Sequence, residues 1–182
     1  TWNVGGIKPS NDDWDSIKLL FKYPSDIIII GLQEIVDLNA KRLVHNNDTR
    51  MSKWETKIEK ILNNNNNNKF NDSSYLKLKS ERLLGILLLI FVKNNKKIYQ
   101  HGGITNILSN KLSCGVANSV GNKGGVGISF KLFEYSFCFI NMHLNAHQNN
   151  IKKRNDDYNR LLTKLTFIDN ENNNNNMDHE IL

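Results

Sequence analysis

Four short segments carry the residue types that do chemistry. "TWNVGG" opens the chain and holds Asn3, and "GLQE" closes an isoleucine-rich run with Gln33 and Glu34. "GNKGGVGISF" enters another apolar run with Asn122 and Lys123 between glycines, and "INMHLNAH" closes a third with Asn141, His143 and His147. A glutamate offers the hard anionic oxygen that Mg²⁺ prefers, and this ion keeps several waters and needs only one or two protein carboxylates. Glu34 is therefore a metal candidate, the alternative being a solvated carboxylate at a strand end. Asn3 suits orientation of a metal or a phosphate, and equally suits ordinary turn chemistry. The glycines around Asn122 and Lys123 fit a backbone that lets a ligand come close, with the lysine as a point charge for phosphate; such clusters also mark plain turns. His143 has the chemistry to donate to a phosphoryl oxygen or to sit as a satisfied polar group at the end of a sheet, and His147 is the weaker of the two. Arg154 and Asn155 follow in a helical segment, where a guanidinium can reach phosphate, although most arginines so placed are surface residues.

Each segment must be held at the end of a strand, and the patterning supplies the strands. "DIIIIGLQE", bounded by Pro24 and Gly31, reads as a central strand covered on both faces. Trp14, Ile17, Leu20 and Phe21 recur at helical spacing before it, with Asn11 to Asp13 as capping residues; Met51, Trp54, Ile58, Ile61 and Leu62 do so after it. "ERLLGILLLIFVKN" reads as a second buried strand and Ile98 to Ile107 as a third. Val126 to Phe133 and Tyr135 to Asn141 form a hairpin turning near Phe133 and Glu134. Ile151, Tyr158, Leu161, Leu162 and Leu165 line one face of a closing helix that begins near Asn149 or Asn150. Alternating strands and helices imply an α/β layered domain, and ligand sites in such domains gather beyond strand ends.

With 182 residues, 39% of them hydrophobic, the chain has the material for one domain with a real core. Two cysteines, Cys114 and Cys138, cannot build a disulfide framework, so a reducing, cytoplasmic setting is expected. The apolar run Leu83 to Val92 is too short to span a bilayer. A net charge of +6 suits an anionic partner, including a membrane surface met peripherally, but it is scattered along the chain. Asparagine runs at Asn63 to Asn68 and Asn172 to Asn176 read as a solvated insertion and a disordered tail over residues 169–182. The strand-like start at Thr1, without a preceding methionine, reads as that of a fragment.

Taken together and in order, "TWNVGG", "LQE", "ERLLGILLLIFVK", "GNKGGVGISF" and "NMHLNAH" followed by "RNDDY" resemble the inositol polyphosphate 5-phosphatase family of the endonuclease/exonuclease/phosphatase superfamily. The resemblance implies a four-layer α/β sandwich of the DNase I type, of which residues 1–168 form the N-terminal, larger part of the catalytic domain. It further implies Mg²⁺-dependent removal of the 5-phosphate from phosphoinositides or soluble inositol phosphates, with no nucleic acid as substrate. Carried over by position, Glu34 and Asn3 would hold Mg²⁺, and Asn3 with His143 would act on the scissile phosphate. Asn122 and Lys123 would face the other phosphates. Arg154, Asn155 and Tyr158 would be mainly architectural, with phosphate contact from Arg154 and Asn155. "HLNAH" departs from the commoner two-alanine form at Asn145, and "LSCGVANSV" is a looser match before the glycines.

The same family places further duties on a "GDxN" segment, a later "DR" and an Asp-His pair. The chain has none of these beyond Asp178-His179, which lies beside an asparagine run and reads as coincidence. Two other readings therefore stand next to the enzyme: a non-catalytic phosphoinositide-binding or interaction module, and a Mg²⁺-dependent nuclease of the same superfamily.

Overall fold

A computed structural model describes residues 1–9, 14–21, 23, 25–36, 47–63, 74–94, 98, 102–114 and 123–167. Asn122, Asn11 to Asp13, residues 64–68 of the first asparagine run and the tail from 168 lie outside the described residues.

The order is β1 (Trp2–Asn3), α1 (Trp14–Leu20), β2 (Ile27–Gln33), α2 (Asn47–Asn63), β3 (Tyr75–Leu83), β4 (Ile86–Lys93), β5 (Ile104–Ser113), β6 (Gly124–Leu132), β7 (Tyr135–His143), a 3-10 turn (Gln148–Asn150) and α3 (Ile151–Lys164). The strands form two sheets, β1-β2-β4-β3 and β5-β6-β7. Only β1 and β2 run parallel; the remaining pairs are antiparallel.

Strand β4 explains the layering. Every residue from Ile86 to Val92 is buried, because alternate side chains enter different cores. Leu87, Leu89 and Phe91 meet Met51, Trp54, Ile58, Ile61 and Leu62 of α2, with Ile17 and Phe21 from the α1 segment at the margin. Ile86, Leu88 and Ile90 meet Val126, Ile128 and Phe130 of β6, so the second sheet covers the other face. On the outer side of that sheet, a Cβ built on Gly125 would meet Leu161 at 3.0 Å, and one on Gly127 would meet Phe167 at 2.6 Å. Helix α3 and the residues after it thus rest directly on β6 backbone. The layers run helix, sheet, sheet, helix, the four-layer α/β sandwich, with each fully buried leucine or isoleucine contributing about 1.5–3 kcal/mol.

Several boundaries differ from the sequence reading. "ERLLGILLLIFVKN" is two strands: Leu84, with φ of 47°, and Gly85 make a tight turn between β3 and β4. The polar "KLKSER" stretch concealed β3. The strand expected at Ile98 to Ile107 starts later, at Ile104, and extends to Ser113. Gly31 lies inside β2, and because β1 pairs only with Leu32 and Gln33, Ile29 of β2 stays 38% exposed where cover on both faces was expected. Asn63, read as the first residue of a solvated insertion, closes α2 and bonds the Tyr75 backbone through both its amide oxygen (2.8 Å) and its amide nitrogen (3.1 Å). The hairpin at Phe133 and Glu134 is present as expected, with Leu132 opposite Tyr135.

Candidate active site at the strand ends

Asn141 ties the two sheets together beside the site. It is buried on β7 and donates to the carbonyls of Leu32 and Leu87, both at 2.9 Å, while its side-chain oxygen accepts from Gln33. Each neighbour belongs to the first sheet, so Asn141 pins β7 across β2 and β4. Gly31 has no side chain because Asn141 occupies that space: an added Cβ would lie 2.8 Å from the Asn141 Cγ.

Two residues on, His143 shares the inward face of β7 with Asn141. The β6–β7 register puts Gly124 opposite His143, which delivers the preceding residue, Lys123, to the same end. Lys123 Nζ lies 2.7 Å from His143 Nε2, and that nitrogen lies 3.3 Å from Glu34 Oε1. Glu34 breaks the β2 pattern with φ of 54°, a conformation that costs a side-chain-bearing residue about 1 kcal/mol. The surroundings hold it there: its carbonyl accepts from Gly6 N–H at 2.7 Å, and Ile35 N–H donates to Gly85 at 3.2 Å. The turn swings the carboxylate out of the strand's alternation and toward the second sheet.

Nε2 cannot accept from Lys123 and donate to Glu34 at once. With the ammonium donating, His143 carries its proton on Nδ1; with Nε2 protonated, the imidazole is a donor to Glu34. Burial lowers the Lys123 ammonium below its ordinary value, against the opposing pull of Glu34 and Asp157. The His143 side chain is 12% exposed and that of Glu34 31%, so the row opens to solvent at its carboxylate end.

Asn3 stands opposite Gln33 in the parallel register, at the end of the strand beside Glu34. Its amide oxygen accepts from Gly5 N–H at 3.0 Å. The amide oxygen of Asn3 and the carboxylate of Glu34 are therefore two hard oxygen donors on neighbouring strand ends, the type of set that Mg²⁺ takes with water.

Arg154 and Asn155 do not join this row. Arg154 donates to the carbonyls of Asn145, His147 and Gln148, clasping the turn after β7, and Asn155 is exposed on α3. The residue that sequence reasoning passed over is Asp157. It is buried to 7% exposure, and its Oδ2 accepts from Asn145 N–H at 3.1 Å and from Asn145 Nδ2 at 2.6 Å. Asn145, the departure from the two-alanine form, thus has a partner inside "RNDDY". The β5 end is tied in as well, since Cys114 N–H donates to the Lys123 carbonyl at 3.0 Å and the Cys114 thiol lies 3.7 Å from the Asp157 carbonyl. The glycines beside Lys123, read as room for a ligand, include Gly125, which serves the packing of Leu161.

Comparison with known proteins bears on the family and the fold. The family model described as Endonuclease/Exonuclease/phosphatase family 2 matches residues 1–182. Human synaptojanin-2 is 32% identical over 92% of this chain and 12% of its own length. The polyphosphatidylinositol phosphatase INP53 of Saccharomyces cerevisiae is 33% identical over 92% of this chain and 14% of its own. Among solved structures, the inositol polyphosphate 5-phosphatase domain of SPsynaptojanin, crystallised with inositol (1,4)-bisphosphate and a calcium ion, superposes with a TM-score of 0.72 at 27% identity, covering 91% of this chain and 44% of that one. The chain thus spans less than half of each of these proteins. With a family model along its whole length, relatives of this kind and the same two-sheet sandwich, the chain belongs to endonuclease/exonuclease/phosphatase family 2 and is similar to the inositol polyphosphate 5-phosphatases within it.

Proposed function

We propose that this chain carries one half of a Mg²⁺-dependent phosphomonoesterase site acting on the 5-phosphate of phosphoinositides or inositol polyphosphates. The observation that supports the reading best is the Lys123–His143–Glu34 row, in which a cation, an imidazole and a carboxylate from two sheets stand within 2.7 and 3.3 Å of one another. The names of the relatives, and the inositol bisphosphate and calcium held by the structural neighbour, supply the substrate class and the divalent ion by analogy.

Glu34 and Asn3 would hold the ion, which when bound neutralises phosphate charge and so favours attack at phosphorus. The remaining roles belong to the chain's own side chains. A phosphate oxygen arriving at the row competes with Nε2 for the Lys123 ammonium. Once Lys123 has turned to the phosphate, Nε2 is flanked by that anion and Glu34, and its one proton can be given to either. Asn141 fixes the depth of His143 by pinning β7, and Asp157 with Arg154 fixes the turn that follows.

The test is phosphate release from a 4,5-bisphosphorylated phosphoinositide with Mg²⁺, paired with calorimetric binding of inositol 1,4,5-trisphosphate, on the chain and on Glu34→Ala and Lys123→Ala. Release that disappears in Glu34→Ala supports the enzyme reading. Binding that needs Lys123 without any release supports a phosphoinositide-binding module built on the same row. A folded chain that neither binds nor releases phosphate refutes both.

A further inference from the structure

Helix α2 sorts its charges in a way the core does not require. Its apolar residues face β4, and Glu55 and Glu59 turn to one flank, where they meet Lys77 of β3 at 2.8 and 3.8 Å. The opposite flank carries Lys53, Lys57 and Lys60 at successive helical turns, with the hydroxyls of Thr49, Ser52 and Thr56 beside them. With Pro9 these residues line a shallow groove of about 350 Å³. No carboxylate and no aromatic ring lines it among the described residues. Lys53 and Lys60 are exposed, and the row from Thr49 to Lys60 extends about 16 Å at the helical rise of 1.5 Å per residue.

We propose that this flank of α2 docks on an anionic bilayer surface. A straight file of ammonium groups interleaved with hydroxyls complements a plane of phosphate and carboxylate headgroups, and such surfaces attract clustered lysines within a Debye length. Single-stranded nucleic acid would need rings on which bases stack, and the groove has none. The apolar face of α2 is committed to the core, so the contact is electrostatic, without insertion. The helix also runs antiparallel to β2: Asn63 at its end bonds Tyr75, which pairs with Lys93 at the end of the first sheet remote from Glu34. The Thr49 end of the groove therefore lies at the Glu34 end of the sheet. The proposal stands independently of the phosphatase reading, since it concerns a surface that shares no residue with the strand-end row.

The experiment is co-sedimentation of the chain with phosphatidylcholine vesicles, with and without phosphatidylserine, and without any phosphoinositide. Each lysine at an anionic surface strengthens binding about fivefold, so Lys53→Gln/Lys57→Gln/Lys60→Gln is expected to bind about 100-fold more weakly. Glutamine keeps helix propensity, and circular dichroism checks the fold. The single variants Lys53→Gln and Lys60→Gln, each expected to lose about fivefold, carry the test if the triple variant does not fold. Lys164→Gln, at the end of α3 in the opposite outer layer, should bind the same vesicles as the parent does. The proposal is overturned if the parent does not prefer phosphatidylserine, if the glutamine variants bind undiminished, or if Lys164→Gln loses as much as the single variants in α2 do.

Discussion

Asp157→Ala tests whether α3 holds the turn that follows His143. Asp157 is 7% exposed, and one of its oxygens accepts both hydrogen bonds from Asn145, at 3.1 and 2.6 Å. A hydrogen bond to a charged group contributes about 1.5–3 kcal/mol, but Asn145 is only partly buried and water restores part of the loss, so about 1 kcal/mol per bond is a fair figure. Removing the buried carboxylate is then expected to cost about 2–3 kcal/mol, or a fall in Tm of about 4–12 °C for a chain of this size. Asn145→Ala keeps the backbone N–H donor and should cost about 1 kcal/mol. The decisive quantity is their coupling, measured by urea unfolding followed at 222 nm. The double variant should be no less stable than Asp157→Ala alone, giving a coupling of about 1 kcal/mol. Additive costs, or a cost for Asp157→Ala below about 0.5 kcal/mol, would refute the clasp.

Asn141→Ala removes the donor shared by the Leu32 and Leu87 carbonyls and leaves a gap beside Gly31; a loss of about 2–4 kcal/mol in urea unfolding is expected, and a near-neutral result would mean the sheets are held by β4–β6 packing alone. Burial pushes the Cys138 thiol up to about 11 from 9.0, so this group favours the fold fully below about pH 9 and loses its contribution as pH rises through about 11. At pH 8 its alkylation by iodoacetamide, followed by peptide mass, should be about 100-fold slower than in urea, in proportion to the lost thiolate; equal rates would contradict the burial.

The meeting of Glu34, Lys123 and His143 was legible because each sits at the tip of an apolar run. Glu34, Lys123 and His143 each close or open a strand, where ligand sites gather, although a solvated carboxylate and a plain turn were alternatives for the first two. What escaped the sequence lay inside regular elements. Asn141 looked like one more strand-end polar group, while its work is to tie two sheets through contacts 54 to 109 positions apart that no local pattern encodes. Asp157 sits mid-helix in a run of charged residues, where exposure is the ordinary expectation. The glycines beside Lys123 were read as ligand access or as a plain turn, and the packing of a helix on β6, which period and composition do not reveal, was neither. Strand β3 was missed for a related reason. Its outward positions are polar, and the turn at Leu84 uses a left-handed residue that leucine rarely adopts.

The contact between Gly31 and Asn141 restricts how this sequence can drift. An alanine at position 31 collides with Asn141, and a smaller residue at position 141 abandons two backbone carbonyls before any space at position 31 has been used. Neither first step is silent, so the two sites must change in concert or stay as they are. A lineage that relaxed one would carry an unstable ancestor until the other followed, which makes this pair a place where descent through this sandwich proceeds by jumps.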